Sequence, residues 1–257
     1  MQVTIIGSGN VATVLGSILL EKGHVIHEVY SRNIENAAIL AKKLGANPVA
    51  KLAILDKGAD LYLLAVTDDA MEAVANQLSV GDKLLVHTAG SVSKEILKKA
   101  SSAYGVLWPM RMIRKPMPTL EPVTIVIDGN SEPVISQIRL IASAFSPVVT
   151  IASDAMRAKM HMLATFTANF SNHLYNLAFR YCQSEGVDFS LFYPIIRETA
   201  LAIGQQDPAD IQAGPAFRGD RQTMEKQISL LQQYPQLQQL YRFMSESIML
   251  AHGIDTK

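Results

Sequence analysis

Residues 7–12 read Gly7-Ser8-Gly9-Asn10-Val11-Ala12, a GxGxxA that directly follows the β-rich run Val3–Ile6 and opens the helical stretch Val11–Lys22. Gly7 permits a tight turn, Gly9 lets backbone come close to a pyrophosphate, and Ala12 allows a helix to pack closely on a strand. The helix start supplies free N–H groups and the positive end of a dipole. The glycine spacing alone is a weak signal. Its strand–turn–helix setting points to a dinucleotide site, with a purely structural glycine turn as the plain alternative.

Working outward, strand-like and helix-like stretches alternate. Val25–Tyr30 reads as a second strand and 36–44 as a helix. The runs Leu61–Val66, Lys83–His87 and Val123–Ile127 are apolar and short, as expected of parallel strands covered on both faces, with Ile135–Phe145 as a helix. This is the grammar of an α/β fold with an N-terminal Rossmann-like, doubly wound parallel sheet. After about Thr150 only helical patterns remain. Ser153 or Asp154 caps a helix reaching about Glu185 and ended by Gly186; 191–203, 223–233 and 236–251 follow, with a Gly/Pro loop at 205–219. We therefore expect a nucleotide-binding domain at 1–152 and an all-α substrate and dimerisation domain at 153–257.

Beyond the glycine turn, the end of the second strand selects the dinucleotide. An NAD site usually places a carboxylate there, about 20 residues on, to accept from the ribose hydroxyls. Here Ser31, Arg32 and Asn33 occupy the position, and a guanidinium suits a 2′-phosphate by charge and fork geometry. NADP, as NADPH, is the expected cofactor; the alternative makes Arg32 a solvated charge at a helix start. Ala65, Val66 and Thr67 end the central strand, and His87, Thr88 and Gly90 end the next. Both groups lie at the carboxyl edge, where such sheets bind ligands. His87 suits a structural role as well as a cofactor contact. Trp108 is expected just after a strand at the same edge.

His161, Thr165, Asn169 and either Asn172 or His173 recur every three or four residues among Met160, Leu163, Phe166 and Phe170. They form a polar stripe on an apolar helix. A buried stripe needs hydrogen-bond partners, either a substrate or nicotinamide carboxamide, or a neighbouring helix or subunit. His161 is the candidate proton donor, because imidazole titrates near neutral pH, and Asn169 the candidate orienting amide. Lys159 is a candidate acid or phosphate contact. Arg218, in the loop Gly214–Asp220, and Arg111 are candidates for holding an anionic substrate group, while Asp220 can serve as an N-cap.

Composition narrows the classes. Among 257 residues, 23 Lys and Arg balance 23 Asp and Glu, which argues against a protein built to coat nucleic acid or an anionic membrane. Only 18% of residues are charged, below the ~25% typical of soluble domains, so apolar surface is expected in a large core or a subunit interface. The uncharged stretch Met160–Phe179 is expected to be buried at a domain cleft and dimer interface; polar groups such as His161, Thr165, Asn169, Asn172 and His173 argue against a membrane span. The lone Cys182 excludes an internal disulfide and, with no leader pattern, points to the cytoplasm, where it reads as an inert buried thiol. No metal-ligand spacing is visible.

The segments Gly7–Ala12, His87–Ser91, Lys159–Phe170 and Gly214–Thr223 together resemble a family of Rossmann-like proteins with a C-terminal DUF2520 domain. That family is related to pyrroline-5-carboxylate reductases and F420-dependent NADP oxidoreductases. The resemblance implies an NADP-type N-terminal fold, a helical dimerisation and substrate domain, and oxidoreductase activity on a small molecule. Two departures stand out. Trp108-Pro109-Met110-Arg111 replaces a His-Pro-Leu-Gln-type motif, and Gln227 stands where many members have histidine. The expected function is hydride transfer between NADP(H) and a small carbonyl or imine; the rival is a silent NADP(H)-binding sensor or scaffold, and a third reading makes a deazaflavin the hydride partner.

Overall fold

The computed structural model describes residues 1–115, 117, 120 and 123–255. The chain divides into two compact units, Met1–Phe170 and Ser171–Lys257.

The first unit is built on an eight-stranded sheet. In chain order its elements are β1 (Gln2–Ile6), α1 (Asn10–Glu21), β2 (Val25–Tyr30), α2 (Ile34–Leu44), β3 (Asn47–Val49), β4 (Leu61–Leu64), α3 (Asp68–Ala75), β5 (Gly81–His87), β6 (Ser101–Pro109), β7 (Ile125–Gly129), α4 (Glu132–Ala142), β8 (Val149–Ile151) and α5 (Asp154–Ala164). The strand order is β3-β2-β1-β4-β5-β6-β7-β8. All neighbours are parallel except β6 and β7. The order reverses beside β1 and β4, the switch point where sheets of this kind open a crevice outside the strand ends.

The apolar runs are buried on both faces, as the continuous patterns of 61–64 and 125–129 predict. Ile5 and Leu63 pack into one core layer with α1, α2 and α4, while Ile6, Tyr62 and Leu64 alternate into the other with α3. Gly16 lies in the middle of α1 because a Cβ there would come within 2.6 Å of Ile5 and 2.8 Å of Leu44. The structure moves Trp108 from the expected loop into β6. That strand's serines, Gly105 and Pro109 hide its pattern. Gly105 lets β6 approach β7 so closely that a Cβ would lie 2.2 Å from Asp128 O.

The start of α5 is pinned by charge. Ser153 caps it, and Arg157, one turn on, is fully buried. Its Nη2 donates to Asp154 at 2.6 Å and to Val92 O, while Lys94 Nζ meets Asp128 at 2.7 Å. Arg157 Nη1 has no hydrogen bond but lies 4.0 Å from Asp128. Two cations thus balance two carboxylates inside the unit, as buried charge requires. Burial pushes the Asp154 carboxyl up, but bonds from Ser93, Arg157 and the Lys94 N–H outweigh it and hold it below the ordinary value.

A π-helical stretch, Thr165–Phe170, follows α5. The second unit holds α6 (Ser171–Glu185), α7 (Tyr193–Ile203), α8 (Pro215–Arg218), α9 (Arg221–Leu230) and α10 (Pro235–Ala251). Gly186 ends α6 at φ 71°, and Asp220 caps α9 through Thr223 N–H at 3.1 Å. Ala216, Met224 and Met249 tie α8, α9 and α10 together. Cys182 is free and buried. The expected burial of Met160–Phe179 is not met within the chain: Leu163, Phe166 and Phe170 are each more than half exposed. No helix among the described residues is long and apolar enough to cross a membrane.

Candidate active site

At the switch point, Gly7 turns the chain at φ 125°, held by its N–H on Tyr30 O at 2.8 Å. Gly9 then serves as the N-cap of α1 with no side-chain cap, and the first turn carries no acidic residue. The helix-start N–H groups and dipole are therefore available to an anion. Gly9 has an ordinary φ of −74°, and a Cβ there would meet nothing within 4 Å. The protein's own packing does not require glycine at this position; the bare backbone leaves room for a ligand to approach. The residues thus fit a dinucleotide diphosphate. Ala12 is fully buried beneath the turn, the packing role its position implies.

The cleft beside the turn has a volume of about 710 Å³. It gathers Gly7 to Val11 with Ser31, Arg32, Ala65, Val66 and Thr67 from the ends of three adjacent strands. Ser8 Oγ donates to Ser31 Oγ at 2.9 Å, joining turn to strand end. Arg32 is exposed and makes no ion pair among the described residues. Asn33 does not line the cleft; its side chain caps α2 by accepting from Glu35 N–H at 2.8 Å. Tyr30, Gln77 and Ile113 line it as well. Nothing in the sequence marks Gln77 or Ile113, because they reach the cleft through tertiary packing alone.

His87 and Thr88 are buried outside this cleft. Thr88 N–H bonds Leu64 O at 3.2 Å and so prolongs the strand pairing. His87 Nδ1 accepts from Ala89 N–H at 3.2 Å, while Nε2 has no partner. Burial, reinforced by the Arg157 charge, pushes the imidazole down to about 4. It is neutral near pH 7, with its proton on Nε2.

Gly90 packs against two residues that line a second cavity, His161 and Trp108. A Cβ on it would lie 2.6 Å from the His161 ring and 2.7 Å from Trp108, whose ring centroids are 5.6 Å apart. The missing side chain allows the loop after β5, strand β6 and helix α5 to meet. The cavity, about 390 Å³, holds His161, Thr165 and Asn169 from the stripe, with Arg111, Met110 and Met112 opposite. The π-helical turn adds Thr167 and Ala168 to the same lining. A wider turn of this kind often occurs at functional sites. Helical spacing in the sequence picks out residues 161, 165 and 169 but not these two. Lys159 is exposed and lines neither cavity.

A family described as a domain of unknown function, DUF2520, matches residues 123–248, and one described as NADP oxidoreductase, coenzyme F420-dependent, matches 2–91. A solved protein of Bacteroides fragilis, assigned as an NADP oxidoreductase, is 33% identical over 98% of both chains, with a TM-score of 0.88. The chain belongs to the DUF2520 family. Two further structures share the fold of this DUF2520 protein. One is a 1-pyrroline-5-carboxylate reductase from Streptococcus pyogenes, 15% identical over 96% of this chain and 98% of its own, TM-score 0.66. The other is an imine reductase from Myxococcus stipitatus in complex with NADP+, 16% identical over 96% and 91%, TM-score 0.63. No curated protein matches the sequence.

In the second unit of the DUF2520 protein, Arg218 ends α8 exposed. Asp220 does not form a salt bridge to it; bonds from the Thr223 hydroxyl and N–H instead hold that carboxyl below its usual range. Gln227, at the second departure from the family pattern, accepts from the Tyr241 hydroxyl.

Proposed function

We propose that this chain is an NADP(H)-dependent oxidoreductase passing hydride between the nicotinamide and a small carbonyl or imine-type substrate. One observation carries the reading. A single stretch of chain lines both cavities: Met110, Arg111 and Met112 face the His161 pocket, and Ile113 faces the dinucleotide cleft. The assigned activity of the Bacteroides relative and the NADP+ bound by the imine reductase support it.

In this reading the Gly7–Ala12 turn receives the diphosphate and Ser31 with Arg32 the 2′-phosphate. The bound nicotinamide supplies the hydride chemistry. His161 gives the proton taken up by the substrate's nitrogen or oxygen as its carbon is reduced, and takes it back in the reverse direction. We assign the proton to His161 rather than Lys159, which lines neither cavity. Asn169 orients the substrate or carboxamide through its amide. Arg111 spends one N–H on Leu120 O at 2.7 Å and keeps others for an anionic substrate group; Arg218 lines neither cavity and is given no part. Trp108 and the methionines exclude water around the reacting carbon.

The test is steady NADPH oxidation against a panel of carbonyls and imines, with cofactor dissociation constants measured alongside. NADPH is expected to bind more tightly than NADH. Arg32→Ala should weaken NADPH by about tenfold to a hundredfold while leaving NADH nearly unchanged, because only NADPH carries the phosphate a guanidinium grips. Equal affinities for the two cofactors in the parent protein would refute the 2′-phosphate assignment.

The functional species is a homodimer assembled through helical surface. Phe166 and Phe170 in the first unit, and Leu191, Tyr193 and Ile195 in the second, stand in water in a single copy. Exposed apolar side chains in such number mark contact surface. Light scattering after size exclusion should give twice the 28.1 kDa chain mass; a monomer at micromolar concentration would count against this assembly. The single cysteine fits a reducing cytoplasm.

A further inference from the structure

The segment that links the two cavities continues past them. After Ile113 it crosses the glycine turn, and Lys115 with Met117 lines a third cavity, of about 780 Å³, that Ser8 shares with α1 and α2 residues such as Thr13 and Leu40. Lys115 Nζ donates to Ser8 O at 3.3 Å. Ser8 also lines the dinucleotide cleft. A carbonyl takes up one of the three ammonium protons and none of its charge. No carboxylate pairs with Lys115 among the described residues. A cation with no carboxylate in salt-bridge contact, in a cavity that Glu21 also lines, therefore stands against the loop whose N–H groups are free for an anion.

The rest of the cleft makes that cation useful. Its own lining contains one cationic side chain, Arg32, two residues past β2, and Lys115 stands next to that lining through Ser8, which the cleft and the third cavity share. The turn itself offers only backbone N–H groups and a helix dipole equivalent to about half a charge. A dinucleotide diphosphate brings two negative charges.

We propose that Lys115 is a cofactor-binding residue that supplies the positive charge for the diphosphate, held at the turn by its bond to the Ser8 carbonyl. The proposal rests on the reading that the Gly7–Ala12 turn receives a dinucleotide. It gives Lys115 a role distinct from that of Arg32. Lys115 serves the part common to NADPH and NADH, and Arg32 the part only NADPH carries. It also explains why the chain after β6 comes back, at Lys115, to a residue more than a hundred positions earlier.

The experiment compares NADPH and NADH dissociation constants for the parent, Lys115→Met, Lys115→Arg, Arg32→Ala and Gly9→Glu, at low and moderate salt. Lys115→Met is expected to weaken both cofactors by the same factor, about tenfold for loss of one charge-assisted contact, and to flatten the salt dependence. Lys115→Arg should restore most of the affinity. Lys115 is exposed, so thermal unfolding should be unchanged in both variants. If Lys115→Met binds both cofactors as the parent does while Gly9→Glu abolishes binding, the Lys115 proposal is overturned and the dinucleotide reading stands. If Gly9→Glu binds like the parent, the dinucleotide does not lie at the turn and the proposal fails with that reading.

Discussion

Gly7→Ala is expected to destabilise the first unit by about 4 kcal/mol and to abolish NADPH binding, whereas Gly9→Ala leaves stability near that of the parent. At Gly7 the backbone sits at φ 125°, which an L side chain rarely adopts. A Cβ there would also lie 2.1 Å from Ala65 O and 2.7 Å from Ala65 C. The carbonyl has little freedom to move. Ala65 N–H is bonded to Ile6 O at 2.8 Å, so relief requires the ends of β1 and β4 to part. Backbone strain alone is worth about 1–3 kcal/mol, and the overlap adds to it. Gly9 has neither problem, with an ordinary φ and open space around a Cβ. Its substitution should weaken cofactor binding without loss of fold. Unfolding followed by the fluorescence of the sole tryptophan, Trp108 in β6, reads the first unit directly. Equal stability for the two variants would show that the contact with Ala65 is not a constraint.

His161→Ala is expected to lower kcat by a factor of about 10²–10⁴, the range for loss of a general acid, with the NADPH dissociation constant close to the parent's. The imidazole is a wall of the 390 Å³ cavity and lies beside Trp108, not at the glycine turn. Its removal should therefore affect the chemical step and not dinucleotide affinity. His161→Gln keeps more of the packing against Gly90 and Trp108 but cannot take the same part in proton transfer, so its kcat should fall nearly as far. A variant retaining half of the parent kcat would remove His161 from the mechanism. Tight NADPH binding by the parent with no turnover across the whole panel would return the chain to the sensor reading.

The local features were legible because each is written in a few neighbouring residues. The GxGxxA turn, the second strand at 25–30, the N-caps Ser153 and Asp220, and the helix stop at Gly186 all depend on short-range sterics and hydrogen bonding. The stripe His161-Thr165-Asn169 follows from helical periodicity, and the structure gathers those three residues around one cavity. β6 was harder to read, because its serines and glycine answer to neighbours across the sheet instead of to a repeating pattern. His87 and Gly90 illustrate the limit. They end the same strand segment, yet one is sealed in the core and the other underlies the His161 ring.

By itself, then, the sequence determined the strand–turn–helix that faces an anion, the alternation that builds a parallel sheet, the change to helices after residue 150, and the carboxylate-free end of β2. These rest on periodicity, backbone sterics and the charge of single residues. Only the tertiary structure decided that Gly90 belongs with His161, that Arg157 is a buried counter-charge, that Phe166 and Phe170 lie open in one copy, and that Lys115 returns to Ser8. The reason is physical. Such pairings depend on the order of strands in the sheet and on the path of residues 110–115 after β6, and neither leaves a repeat in the chain that builds it.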